Sequence, residues 1–393
     1  MKAPLEGIKI LDLTHMMVGP FCSMLLGDMG AEVIKVEPHW GDETRFMGAM
    51  QNGESALFLS LNRNKRGITL NLKEDEGKEI FYKLAKRSDV VIQNFLKDTI
   101  KKWKVDYDSI AQINPKIIYA AIFGFGEKGP YSDKPGLDLS FQGMGGIMSI
   151  TGEPGSPPTR VGTSVADIVA GMLTAYGITV ALLARERMGI GQKVDISILD
   201  GLISLQTPRA SQYFATSKIP ERIGSSSPFF GPIDTFKTKD RHINVSIFTD
   251  KLWVKLCKLM DMEYLISDSR FDSNDKRLKN RMALKAILED KFQQKGADEW
   301  LELLEKEGIP NGKIFDYDEV FSDPQIKVNE MVHEIEHPVA GKIKVTGLPI
   351  KLSKTPGSVR TPAPTLSQHT HEVLISLGYD EAAIKKLKES KVI

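Results

Sequence analysis

Two aspartates stand in settings where a carboxylate does more than solvate a surface. Asp167, in "VGTSVADIVAGM", opens a long apolar stretch, and Asp138, in "GLDLSFQGMGG", is flanked by apolar residues and followed by glycines. An acid in a first helical turn complements the helix dipole, with Ser164 or Thr163 as N-cap, so capping accounts for Asp167 on helix grounds. The same position at the mouth of a glycine-rich turn suits a carboxylate nucleophile. The two residues by themselves leave both readings open.

Upstream, "IIYAAIFGFGEKGP" ends a β-prone run in Gly124, Gly126 and Gly129, the G-x-G-x-x-G spacing of a dinucleotide site. That site requires a helix to open at the last glycine, with its N–H groups aimed at a pyrophosphate. Here Pro130, Pro135 and Gly136 follow, so no helix and no NAD site are expected, although a glycine turn at a strand's carboxyl end still suits another ligand. The histidine pairs His333/His337 and His369/His371 lack a supporting Cys or carboxylate cluster, so no metal is expected. Neither a G-x-S-x-G elbow nor a Walker loop occurs.

The elements that must hold these residues alternate. "GIKILDLT", "AEVIKVE", "ITLNL", "DVVIQNF" and "KIIYAAIFG" read as short buried strands separated by helical segments. This predicts a doubly wound α/β domain with a parallel sheet covered on both faces. Residues 164–188 predict one long helix whose recurring small residues (Ala166, Ala170, Gly171, Ala175, Gly177) admit a closely packed neighbour. "KVDISIL" adds a strand. Residues 225–315, with strands "DTFKTKD" and "HINVSIF" and three amphipathic helices, predict a smaller α+β domain. The expected division is 1–205 for the large domain, 206–224 and 316–330 as extended linkers, and 331–393 as a segment returning to the large domain.

Composition narrows the class. With 52 basic against 51 acidic residues in 393, the chain has no bulk charge for nucleic acid or anionic lipid. Two cysteines, Cys22 and Cys257, exclude a disulfide framework and fit a reducing, cytoplasmic location. No signal-like N-terminus is evident, and no run of about 18 uncharged apolar residues predicts a membrane crossing.

In order and spacing, these pieces resemble the class III CoA-transferases, a family that includes formyl-CoA:oxalate, carnitine and succinyl-CoA-dependent transferases and the related α-methylacyl-CoA racemase. The resemblance runs from "PLEGIKILDLTHMMVGPFCSMLLGDMGAEVIKVE" through "GDETR", "NRNKRGITLNLK", "DVVIQNF", "GFGEKGPYSDKPGLDLSFQGMGG" and "VADIVAGMLTAYGITVALLARERMGIGQKVDISILD" to "APTLSQHTHEVLISLG". It implies that Asp167 is the nucleophile, acylated and then thioesterified by CoA, with Asp138 as the acid beside it. It implies that His15, Val18, Gly19 and Pro20 approach the pantetheine and thioester end of CoA. Leu70, Asn71, Leu72 and Lys73 fall near the adenosine, Asn94, Phe95 and Leu96 on a CoA-contacting turn, and Lys102 at a phosphate. The partners implied are an acyl-CoA donor, a small carboxylic acid acceptor and a second copy of the chain, as an interlocked homodimer. Coenzyme A enters as substrate, with no metal and no NAD.

Departures from the family are informative. Pro38 stands where some transferases carry a CoA-binding arginine, leaving His39 or Arg45 as substitutes, and "GSSSPFFGP" lies where formyl-CoA transferase has a glycine loop. Leu137, counted among the CoA-site positions, stands where the racemase has a histidine. A racemase needs two proton-transfer groups, so transferase is favoured over racemase, and Asp167 within an intact motif favours it over a non-catalytic CoA-binding protein. Arg222 in "RIGSSSPFF" suits a second carboxylate on the substrate, as in succinate.

Overall fold

The computed structural model describes residues 2–393. Strand Ile118–Phe123 is buried at all six positions, as a parallel strand covered on two faces must be. It belongs to a six-stranded parallel sheet of β1 (Lys9–Asp12), β2 (Glu32–Glu37), β3 (Lys65–Thr69), β4 (Val90–Gln93), β5 (Ile118–Phe123) and β6 (Gln192–Ser197). The order is β3-β2-β1-β4-β5-β6, with Ile10 of β1 paired to Val33 on one side and to Val90 on the other. The chain therefore winds outward from β1 in one direction, then returns and winds in the other.

Helices α1 (Val18–Asp28), α2 (Asp75–Lys86), α3 (Lys97–Trp103), α4 (Tyr107–Ile113), α5 (Asp138–Met144), α6 (Val165–Met188) and α7 (Ile198–Leu205) accompany this sheet. The sequence of α2 shows why it forms. Asp75 and Glu76 open it and Lys83 and Lys86 close it, complementing the dipole, while Ile80, Phe81 and Leu84 make one buried stripe. Each such side chain contributes roughly 1.5–3 kcal/mol by leaving water. They join Ile100, Ile110, Tyr119 and, from the last two helices, Val373, Leu374, Ile384 and Leu387 in one core cluster.

Helix α6 packs against α1, α7, β5 and β6. A Cβ on Gly171 would lie 2.8 Å from the Val18 carbonyl oxygen, so only glycine admits this approach of α1. By length and composition α6 is also apolar enough to cross a bilayer, which the sequence pattern did not predict, but its inner face is buried against these neighbours.

Two compact units divide the chain. The first comprises Met1–Ile147, Val161–Ser211 and Pro324–Ile393, and the second Met148–Arg160 and Gln212–Asp323. The second unit has a three-stranded antiparallel sheet (Ile233–Lys237, His242–Ser246, Asn311–Lys313) and a core around Phe236, Trp253, Phe271, Phe292 and Trp300.

The expected boundaries need correction in two places. Residues 148–160, expected in the large domain, pack with the second unit because Gly224 N–H donates to the Gly152 carbonyl and Arg222 to that of Ser149. The segments expected to be extended linkers are largely helical: Thr207–Thr216, Tyr317–Ser322 and Pro324–Val328. The second starts with a capping box between Asp316 and Glu319, a signal present in "DYDE".

Candidate active site

In an open parallel sheet, ligands bind beyond the carboxyl ends of the strands where the winding reverses. Here that is the β1/β4 boundary. The segment after β1 and the turn after β4 are stitched together there: His15 N–H donates to Asn94 Oδ1 at 3.1 Å and Asn94 Nδ2 to the His15 carbonyl at 2.9 Å. The His15 ring stacks on Phe95 with centroids 5.0 Å apart, and Phe95 meets Trp103 edge-on at 5.1 Å. These aromatics form one side of a cleft of about 180 Å³. Pro38, His39, Trp40 and Glu43 line another side, and Leu70, Asn71, Leu72 and Lys73 a third. Aromatic faces with Lys73 among them fit a purine nucleotide bearing phosphates.

The carboxylate pair sits at the start of α6. Phe141 of α5 packs where Cβ atoms on Gly124 and Gly136 would stand (2.8 and 2.6 Å from its ring), which seats α5 under the glycine turn. That turn is not a dinucleotide loop: Gly126 and Gly129 take φ of +90° and +98°, and the next helix opens only at Asp138. Asp138 is buried, and both its oxygens are occupied. Oδ1 accepts the Ala166 N–H at 2.9 Å and Oδ2 accepts Gln142 Nε2 at 2.7 Å. Gln142, itself fully buried, also accepts the Val161 N–H at 2.8 Å. The expected cap is therefore corrected. Ser164 holds the N-cap position without a side-chain cap bond, and Asp138 from α5 satisfies the first turn instead.

Asp167 is partly buried in that first turn, and neither a cation nor a hydrogen-bond donor offsets its charge. Burial first, and the neighbouring Asp138 second, push its carboxyl up to about 7. Gly171 follows Asp167 by one turn on the same helix face, so the Val18 contact places the start of α1 beside the Asp167 face of α6.

Not all expected residues converge. His15, His39, Leu70, Asn71, Leu72, Lys73 and Phe95 line the cleft, and Asn94 braces it. Val18, Gly19 and Pro20 are buried in the first turn of α1 rather than lining the cleft. Leu96 is half-exposed before α3, Lys102 is exposed on that helix away from the lining, and Leu137 is 68% exposed at the N-cap of α5. Arg45 is not a substitute ligand: both its Nε and Nη2 bond Glu37 at 2.7 Å, and its guanidinium lies over Phe58. Trp40, Trp103, Glu43 and Gln142 were not anticipated. Residue type flags none of them until the loops are folded. Among the described residues, no group of three or more His, Cys, Asp or Glu side chains is placed to hold a metal ion.

A doubly wound α/β unit with an aromatic-lined cleft at its switch point and an unpaired, partly buried carboxylate on a neighbouring helix has the layout of an enzyme site. The chain belongs to CoA-transferase family III, whose profile matches residues 5–370. It is 39% identical to succinyl-CoA:glutarate CoA-transferase of Mus musculus, over 99% of this chain and 90% of that protein. It is 36% identical to succinyl-CoA:mesaconate CoA-transferase of Haloarcula marismortui, over 96% and 97%. A crystal structure of a CAIB/BAIF family protein from Brucella suis superposes with a TM-score of 0.86 at 36% identity, over 96% of this chain and all of that one. The protein is a CoA-transferase.

Proposed function

We propose that the protein moves CoA from an acyl-CoA to a free carboxylic acid through two covalent states on Asp167. The observation that carries this is the contrast between the two acids at the start of α6: Asp138 is fully bonded, and Asp167 is left unbonded and basic. A carboxylate raised to about 7 is a stronger nucleophile when ionised than an ordinary one. An Asp167 oxygen attacks the thioester carbonyl, the C–S bond breaks, and CoA thiolate leaves a mixed anhydride. The thiolate then attacks the aspartyl carbonyl, releasing the donor acid and leaving an aspartyl-CoA thioester. An acceptor carboxylate attacks that thioester, forming a new anhydride and thiolate. The thiolate takes the acceptor's acyl carbon and frees Asp167. Each step exchanges one activated acyl group for another, so no ATP is required.

The relatives' names support succinyl-CoA as donor and a dicarboxylate as acceptor. An apolar cavity of about 630 Å³ in the first unit, between α1, α6 and residues 346–352, supports a second copy of the chain as partner. Two free, buried cysteines fit a cytoplasmic location. Racemisation is disfavoured because Leu137 offers no second proton-transfer group.

Mass spectrometry of protein incubated with succinyl-CoA and no acceptor tests the mechanism. The expected result is a CoA adduct on the Asp167 peptide that glutarate discharges. An unmodified peptide with Cα–H exchange in a 2-methylacyl-CoA would instead assign racemisation.

A further inference from the structure

Resting on the CoA-transferase reading, we propose that the buried Lys35–Asp42 pair is a clamp that presets the CoA cleft, and that both are positioning residues for acyl-CoA. Two walls of the cleft come from different segments: Thr14 and His15 after β1, and Pro38, His39, Trp40, Asp42 and Glu43 after β2. Among the described residues no backbone–backbone hydrogen bond joins them. Side chains do. Lys35 of β2 is fully buried, and its Nζ donates to the Thr14 carbonyl at 2.8 Å and to Asp42 Oδ2 at 2.9 Å. Asp42 Oδ1 accepts the Met16 N–H at 3.3 Å and the Thr44 N–H at 2.9 Å.

The clamp also holds a backbone conformation that the segment resists. Met16 has φ of +65°, a left-handed conformation unfavourable for a side chain of its kind, and its N–H is the one Asp42 accepts. This turn carries His15, whose ring stacks on Phe95 of the turn after β4, and leads directly into α1. Burial alone would lower the Lys35 ammonium, but Asp42, Asp12 and Glu37 overcome this and hold it above its ordinary value, so the charge persists.

Stability alone does not explain such a pair. Replacing a buried ion pair with apolar or neutral groups is often neutral or stabilising, whereas removing one partner strands a charge. A fixed spacing between two loops is what the pair adds here.

The test is CoA binding by isothermal titration calorimetry, together with KM and kcat for succinyl-CoA. The full-length wild type, K35M/D42N and Asp42→Glu are compared. The double variant leaves no stranded charge, so it is expected to fold with a near-wild-type denaturation midpoint yet bind CoA on the order of tenfold more weakly. Asp42→Glu keeps the ion pair and so the fold, while lengthening the bridge by one methylene. It is expected to raise KM several-fold, with a smaller change in kcat. Folded variants that bind CoA with the wild-type Kd would overturn the clamp. A wild type that binds no CoA would overturn the functional reading instead, and the two failures are read from different samples.

Discussion

Asp138 fastens the helix that presents Asp167: its Oδ1 takes the N–H of Ala166, the residue immediately before Asp167, at 2.9 Å. Asp138 thus helps to position Asp167 and adds to what raises its carboxyl. Burial makes the largest contribution to the raised Asp167 carboxyl, and the Asp138 charge adds to it. The proposed attack requires the ionised form, so kcat/KM for acyl-CoA should rise with pH through about 7. Asparagine at 138 still accepts from Ala166 but carries no charge. Asp138→Asn should move this limb to lower pH while burial keeps it above an ordinary aspartate. A pH–rate profile of wild type and D138N checks both statements, and an unmoved limb would separate the two acids electrostatically.

Asp167→Asn removes the proposed nucleophile with little change in volume. Transfer should fall by at least about 10³-fold, as for removal of other covalent nucleophiles. CoA binding should survive, because Asp167 is not among the residues lining the switch-point cleft. Steady-state transfer and calorimetry on the same preparation distinguish this from unfolding, and transfer at the wild-type rate would eliminate the covalent mechanism.

Gly171 is where α1 and α6 touch. A side chain there would enter the 2.8 Å space to the Val18 carbonyl, and the Phe21 ring at 3.0 Å closes the alternative. Gly171→Val should cost about 1–3 kcal/mol by overpacking. It should also reduce turnover, since the displaced turn is the one beside Asp167. Urea denaturation together with activity at a temperature where the variant is folded measures the two effects separately.

Much of the sheet was legible because strands such as Val90–Gln93 and Ile118–Phe123 are short apolar runs and its helices carry charged ends and one buried stripe, as in "KEDEGKEIFYKLAKRS"; the expected strand "ITLNL" instead begins earlier, at Lys65, in "KRGIT". The small residues of 164–188 announced a close neighbour, and Gly171 meets one. What the sequence could not convey was which polar group takes which donor. Ser164 has the right type and position for a cap, but the Ala166 N–H goes instead to Asp138, 28 residues before it. Arg45 stood as a substitute for a CoA-binding arginine, but Glu37, eight residues earlier, holds it. Lys102 has the right charge, yet its neighbour Trp103 is the one facing the cleft. Helical phase and long-range pairing decide these cases, and neither is a property of a local window.

Asp42 links the cleft to acid stability. Burial pushes its carboxyl up, but Lys35 and the bonds from Thr44 outweigh that and hold it at about 2, against 3.8 for the free group. A carboxyl depressed in the folded state contributes stability above its unfolded value, and that stability is lost as pH falls toward 2. The difference amounts to about 2 kcal/mol. Wild type should therefore exceed Asp42→Asn in denaturant resistance at pH 5, and the gap should narrow by about that amount as pH falls toward 2. Paired urea titrations at several pH values check it. A gap that does not change with pH would mean that Asp42 acts through shape alone.

The outward face of α6 makes the last prediction. Met172, Tyr176, Val180 and Leu183 recur at helical spacing, and Tyr176 is 69% exposed. Met172 and Tyr176 also line the 630 Å³ apolar cavity together with Leu348, Ile350 and Leu352. An apolar stripe continuous with an apolar cavity is costly to leave in water, and a second copy of the chain is the partner that the functional reading supplies. A charge in the middle of such a surface would be stranded without a partner on association. The wild type is therefore expected to dimerise at micromolar concentration and Tyr176→Asp to be shifted toward monomer, as read by light scattering after size exclusion. It should leave the folding of a variant monomer intact, because the side chain is exposed within its own subunit. A wild type that is monomeric at that concentration would remove the partner, and a Tyr176→Asp dimer as tight as wild type would place the contact elsewhere.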